Sequence, residues 1–200
     1  MSMSLPALIQ NATQTLIDHV EELTTLDQAI GDGDHGLNMK RGAQAIQAKL
    51  PELQEANLND ALKLMGKTCI AMIGGSSGPV FGTLLMTLGK ALPTEPTAAD
   101  FAPALRASIE ALTRLGKAEV GQKTLLDVLD PVQKVLALGG DDLIARVRQC
   151  AHDSAAATAA MDATRGRSSF LGERAKGHVD PGSRSMALII SSVCDSLANA

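Results

Sequence analysis

Asp27, Asp32 and Asp34 crowd into the stretch LDQAIGDGDHG, where an apolar-periodic segment gives way to glycine-rich backbone. Carboxylates this close repel one another unless a cation or a proton intervenes. Their hard oxygens suit Mg²⁺, which takes a few carboxylates and completes its shell with water and substrate phosphates. At a helix C-terminus the backbone dipole opposes negative side chains, so without a ligand the cluster is locally disfavoured. A solvated acidic helix end is the plain alternative. With divalent cations in place the local field changes sign, and the turn attracts phosphates.

Familiar spacings in this chain have to be rejected one by one. Residues 31–36 spell G-x-G-x-x-G, but a dinucleotide fingerprint needs a preceding strand and bare backbone, and here a helix precedes and carboxylates repel the anion. The same turn is not a calcium loop, since Gly36 stands where a third ligand belongs and no Glu occupies the closing position. GGSSGP at 74–79 contains G-x-S-x-G without the strand–turn–helix setting of a nucleophile elbow. Its small residues, hydroxyls and amides leading into a helix suit an anion better, with a plain helix–helix turn as the alternative. GKAEVGQKT at 116–124 misses a P-loop because Gln122 separates Gly121 from Lys123, and it reads as a turn at a pocket wall.

A third irregular stretch, from Arg165 to Gly182, concentrates Arg165, Arg167, Arg174 and Lys176, with Arg184 just beyond, in an otherwise acidic chain. It is longer than an ordinary connection, and long loops in compact domains tend to be functional. Guanidinium groups make paired hydrogen bonds to phosphate, so the loop could clamp one; a solvated basic loop is the alternative. His35 and His178 are candidate acid–base groups or supporting hydrogen-bond partners. His19 and His152 need no function.

These three places interrupt a helical pattern. Leu5, Leu8, Ile9, Ala12, Leu16, Val20 and Leu23 recur at three and four, which gives a helix one apolar stripe. Similar stripes run from Leu37 to Leu50, Leu58 to Met72, Val80 to Ala91, Phe101 to Leu115, Leu125 to Leu138, Leu143 to Met161 and Met186 to Leu197. The reading is eight helices, all-α, as antiparallel neighbours. Pro51 and Pro93 follow helix ends, Gly139 and Gly140 supply a stop, and Pro79 sits in a first turn.

Two hundred residues, 45% apolar, are expected to form one domain spanning 1–200. The net charge of −4 and the absence of Trp and Tyr argue against nucleic acid. The apolar runs are too short for a membrane span and the N-terminus does not read as a signal peptide, so a soluble, cytoplasmic protein is expected. Cys69, Cys150 and Cys194 read as packing in a reducing compartment. Adenine, if bound, would lie between aliphatic side chains.

Taken in order, the acidic turn, GGSSGPVFGTLL, GKAEVGQKTLLDVLDP and GRSSFLGERAKGHVDPGS resemble the L subunits of dihydroxyacetone kinases, over nearly the whole chain. The resemblance implies an eight-helix antiparallel barrel with the nucleotide site at one end. It implies that Asp27, Asp32 and Asp34 are catalytic through metal, holding two Mg²⁺ ions against ADP or ATP. It places His35, Gly36, Leu37, Asn38, Ser76 and Ser77 along the nucleotide, Gly116 and Leu125 at the adenosine, and Arg167, Asp180, Pro181 and Gly182 in the closing wall. Asp127 and Asp130 receive no metal role. The sugar would be held by a separate K subunit, leaving this chain inactive alone. A phosphohistidine carrier protein would rephosphorylate the bound ADP, and a homodimer stays open. The alternatives are an ATP-consuming kinase subunit for another small ketose, and a nucleotide-loaded regulatory module without catalysis.

Overall fold

The computed structural model describes residues 4–199, apart from the side chain of Arg167. Among these residues there are ten α-helices and two 3₁₀ segments, and no strand. The helices are α1 (Leu5–Asp18), α2 (Val20–Ile30), α3 (His35–Gln47), α4 (Leu50–Gln54), α5 (Leu58–Met72), α6 (Ser77–Ala91), α7 (Ala98–Gly116), α8 (Leu126–Leu138), α9 (Leu143–Ala157) and α10 (Pro181–Ala198). The 3₁₀ segments are Thr158–Ala160 and Arg167–Ala175.

Eight of the helices form a ring. Each of α5 to α10 packs on the next, α10 packs on α1, α1 on α3, and α3 on α5, so the circuit closes. One apolar stripe from each faces the interior: Ile9 and Leu16 from α1, Leu105, Ile109 and Leu112 from α7, Val147, Ala151 and Ala155 from α9. Burying each large aliphatic side chain contributes about 1.5–3 kcal/mol, which fixes the helices' rotation. None of the helices is long and apolar enough to cross a membrane.

The α5–α6 pair shows the antiparallel register. A Cβ on Gly82 would lie 2.8 Å from the Gly66 carbonyl, one on Gly89 2.7 Å from the Asn59 carbonyl, and one on Gly78 2.4 Å from the Ile73 carbonyl. Partners thus run backwards along α5 as α6 runs forwards, with backbones too close for side chains.

Two expected boundaries are corrected. The stripe from Leu5 to Leu23 is not one helix: the chain turns at His19, whose Nδ1 lies 2.8 Å from the Thr15 carbonyl oxygen, and α2 starts afresh. Pro51 does not follow a helix end but sits in the first turn of the short α4, where its missing amide costs nothing. Side-chain caps start two other helices. Thr97 and Asp100 form a reciprocal box at the start of α7, and Asn57 accepts from the Asp60 amide at 2.9 Å.

Candidate metal and nucleotide site

The α2 C-terminus delivers Asp27 to the end of the ring where α3 begins. Gly31, Asp32 and Gly33 make the reversal, Gly33 at φ 77, a left-handed conformation that L side chains avoid. At Gly31 a Cβ would stand 2.1 Å from Asp27 Oδ1, so the backbone lies against the carboxylate with no room for a side chain. The turn brings Asp27, Asp32 and Asp34 together with one carboxylate oxygen of each within 4.8 Å of the others. Asp27 is buried and Asp32 exposed, so the cluster opens outward.

Beside it lies a cavity of about 350 Å³. Its wall contains the N-cap and first residue of four helices: Asp34 and His35 of α3, Ser76 and Ser77 of α6, Leu125 and Leu126 of α8, Asp180 and Pro181 of α10. Each N-terminus presents unpaired amides and about half a positive charge, and four converging termini make an anion site. The antiparallel ring forces this convergence, since every second helix starts at the same end. Phe81, Leu112, Ala118, Leu125 and Leu126 give the cavity an apolar flank.

Hydrogen bonds lock the four termini to one another. The His35 ring lies between two of them, Nδ1 3.3 Å from Ser77 Oγ and Nε2 3.1 Å from Ser185 Oγ on α10. Burial holds this imidazole below its usual pKa against the raising influence of Asp27 and Asp34. Asp180 accepts from the Ser183 amide at 2.7 Å, and Ser183 Oγ donates to the Thr124 carbonyl at 2.9 Å, joining α10 to the turn before α8. Burial pushes the Asp180 carboxyl up to about 6; Asp127 raises it further, while the bonds from Ser183 and the Lys123 ammonium lower it.

Most of the expected site residues meet here. Asp27, Asp32, Asp34, His35, Ser76, Ser77, Gly116, Leu125, Asp180, Pro181 and Gly182 all line the cavity. Gly36, Leu37 and Asn38 do not line it. Gly36 is packing: a Cβ there would meet the Val20 carbonyl at 2.3 Å. Leu37 is exposed, and Asn38 is buried, its Oδ1 accepting from Arg41 at 3.2 Å. The Arg167 side chain lies outside the described residues. Of the other basic residues, Arg165 lines the cavity, whereas Lys176 pairs with Asp162 at 2.8 Å and Arg184 with Glu22. His178 is exposed and does not line it. Asp130 pairs with Arg106 at 3.2 Å and with Lys134 at 2.7 Å.

Three features escape sequence reasoning. Phe81 is an aromatic lining residue where aliphatic ones were expected; Gly166 and Ser168 of the basic loop line the cavity through a loop bend; and Lys123 is buried. A larger hollow of about 620 Å³ lies between α1, α9 and α10. Its arginines are already paired, Arg148 with Asp195 at 2.7 Å and Arg184 with Glu22, and it holds none of the aspartate cluster.

Comparison with known proteins sharpens the picture. The DAK2 domain family matches residues 29–195. The ADP-binding subunit DhaL of a PEP-dependent dihydroxyacetone kinase from Listeria innocua is 42% identical over 168 residues, covering 84% of this chain and 82% of that protein. The ADP-binding subunit DhaL of the PEP-dependent dihydroxyacetone kinase from Escherichia coli is 36% identical over 178 residues, 85% of each. Among solved structures, the dihydroxyacetone kinase from C. freundii in complex with AMP-PNP and Mg²⁺ superposes with a TM-score of 0.78 at 24% identity, over 98% of this chain and 35% of that one. That likeness establishes the all-helical fold.

Proposed function

The chain belongs to the DAK2-domain family, and from that premise we propose that it is the nucleotide-carrying subunit of a dihydroxyacetone kinase. The observation that carries this reading is the meeting of a three-aspartate cluster with four helix N-termini around one cavity. Carboxylates alone would repel a nucleotide, and helix N-termini alone would not select one. Together they suit a phosphate chain neutralised by divalent cations.

Asp27, Asp32 and Asp34 would hold two Mg²⁺ ions, and the donor set fits: three hard oxygens on an open edge, with room for phosphate and water to complete each shell. When bound, the ions supply charge neutralisation on the transferring phosphoryl group. The chain's own residues do the rest. The first-turn amides of α3 and α6 and the Ser76 and Ser77 hydroxyls orient the phosphates. This is how Gly36, Leu37 and Asn38 would contribute, through the α3 terminus rather than their side chains. Phe81, Leu112, Leu125 and Leu126 receive the base, with Gly116 at the same wall, while Arg165 and the turn 180–182 close the site and exclude water.

The sugar would arrive on a separate K-type subunit, and bound ADP would be rephosphorylated in place by a phosphohistidine carrier. The PEP-dependent relatives, alike over most of their length, favour this over consumption of free ATP. The test is reconstitution with both partner proteins: wild-type chain should support phosphorylation of dihydroxyacetone, and Asp32→Ala should abolish it while circular dichroism stays helical. Undiminished turnover by that variant would remove the assignment.

A further inference from the structure

Lys123 is the only fully buried charged side chain among the described residues. It sits at φ 61 in the turn before α8, and its Nζ lies 2.8 Å from the carbonyl oxygen of Thr158, 2.9 Å from that of Ala175 and 3.5 Å from that of Met161. An ammonium has three N–H groups, and here three acceptors surround it. Thr158 caps the C-terminus of α9, Met161 that of the first 3₁₀ segment, and Ala175 ends the second, so these carbonyls lie at negatively polarised helix ends; that of Thr158 also accepts from the Met161 amide at 3.1 Å.

Those carbonyls bracket the loop whose Arg165, Gly166 and Ser168 line the cavity. Thr158 and Met161 stand where it leaves the α9 end, and Ala175 where it returns. Nearby bonds tie the same base: the Gly177 amide donates to the Ala159 carbonyl at 2.8 Å, and the Asp180 amide to Thr158 Oγ1 at 2.9 Å. Within the loop, Gly172 breaks the 3₁₀ geometry at φ 55 and Phe170 is 90% exposed, while Leu171 packs against Ile30, Ala163 and Ala175.

We infer that Lys123 is a positioning residue: its ammonium, shared among the carbonyls of Thr158, Met161 and Ala175, pins both ends of the loop that covers the nucleotide. This rests on the proposed nucleotide site but assigns Lys123 no contact with phosphate, since its protons are engaged by backbone. Without the pin, the two loop ends separate, the cover opens more often, and the nucleotide leaves faster although the aspartate cluster is intact.

The test uses the full chain loaded with Mg²⁺ and a fluorescent ADP analogue, chased by unlabelled ADP. Lys123→Met, similar in length but neutral, should release the analogue about 10- to 100-fold faster, the consequence of losing charge-assisted bonds. Hydrogen exchange should quicken in residues 162–177, and Lys123→Arg should restore much of the retention. Release and loop exchange equal to wild type in Lys123→Met would overturn the inference. Should that variant fail to fold, exchange on the wild-type chain without nucleotide decides. The amides of Met161, Lys176 and Gly177 should exchange more slowly than those of 165–170, and equal exchange at base and tip would also overturn it. A wild-type chain that binds no ADP would instead defeat the functional reading, leaving this exchange experiment still decisive for the pin.

Discussion

The backbone amide of His35 donates to Asp27 Oδ2 at 3.1 Å, so the first residue of α3 holds a carboxylate from the last turn of α2. This bond resolves a conflict set by the sequence. Asp27 is opposed by the dipole of its own helix and favoured by that of the next. The reversal through Gly31 and Gly33 lets the second offset the first, leaving Asp27 buried and aimed at the cluster.

Stability should depend on pH through Asp180. Its folded-state pKa, raised by burial to about 6, exceeds its ordinary value of 3.8. The folded chain therefore binds more protons than the unfolded one between these values. The contribution is fully present below the unfolded pKa and is lost as pH rises through about 6. Asp180→Asn keeps a side-chain acceptor for the Ser183 amide and removes the charge. In nucleotide-free protein it should gain about 1–3 kcal/mol at pH 8 and little at pH 4. Thermal unfolding at both pH values checks the sign, and an equal effect at both contradicts it.

Gly36 should act in folding before it acts in binding. Its Cβ position lies 2.3 Å from the Val20 carbonyl, a contact backbone cannot relieve by a rotamer change. Gly36→Ala is expected to lose about 1–3 kcal/mol, read as a lower urea midpoint at unchanged slope. A midpoint equal to wild type would show that α2 and α3 are not packed as described.

The cysteines should behave as packing. Burial pushes the Cys69 thiol up to about 12 and the Cys194 thiol up to about 11, and neither has a disulfide partner. In the native chain at pH 8 both should react with a disulfide reagent about 100-fold or more slowly than after unfolding. Half-buried Cys150 should be modified first, as peptide mass spectrometry of a time course would reveal.

Much of this was legible in the sequence, and the reasons are particular. Seven of the eight ring helices coincide with their apolar stripes because each buries one face. The exception is instructive: Leu16, Val20 and Leu23 keep helical spacing across His19, so periodicity runs straight through a turn. Pro51 is ambiguous by nature, since a proline that ends one helix can as well begin another. The aspartate cluster was visible because charge crowding is a local property. Lys123 was not, because lysine ordinarily reads as surface and its acceptors come from segments far along the chain. Likewise nothing near His35 announces Ser185 as its partner.

The most direct measurement of the central claim is native mass spectrometry of the purified chain with ADP and millimolar Mg²⁺, before and after chelation, alongside Asp32→Ala. The account predicts a wild-type complex carrying ADP with Mg²⁺, reduced to bare protein by chelation, and a helical Asp32→Ala chain that holds nucleotide about 100-fold or more weakly. Wild-type chain that stays empty, or nucleotide held equally well after the metal is stripped, would contradict it.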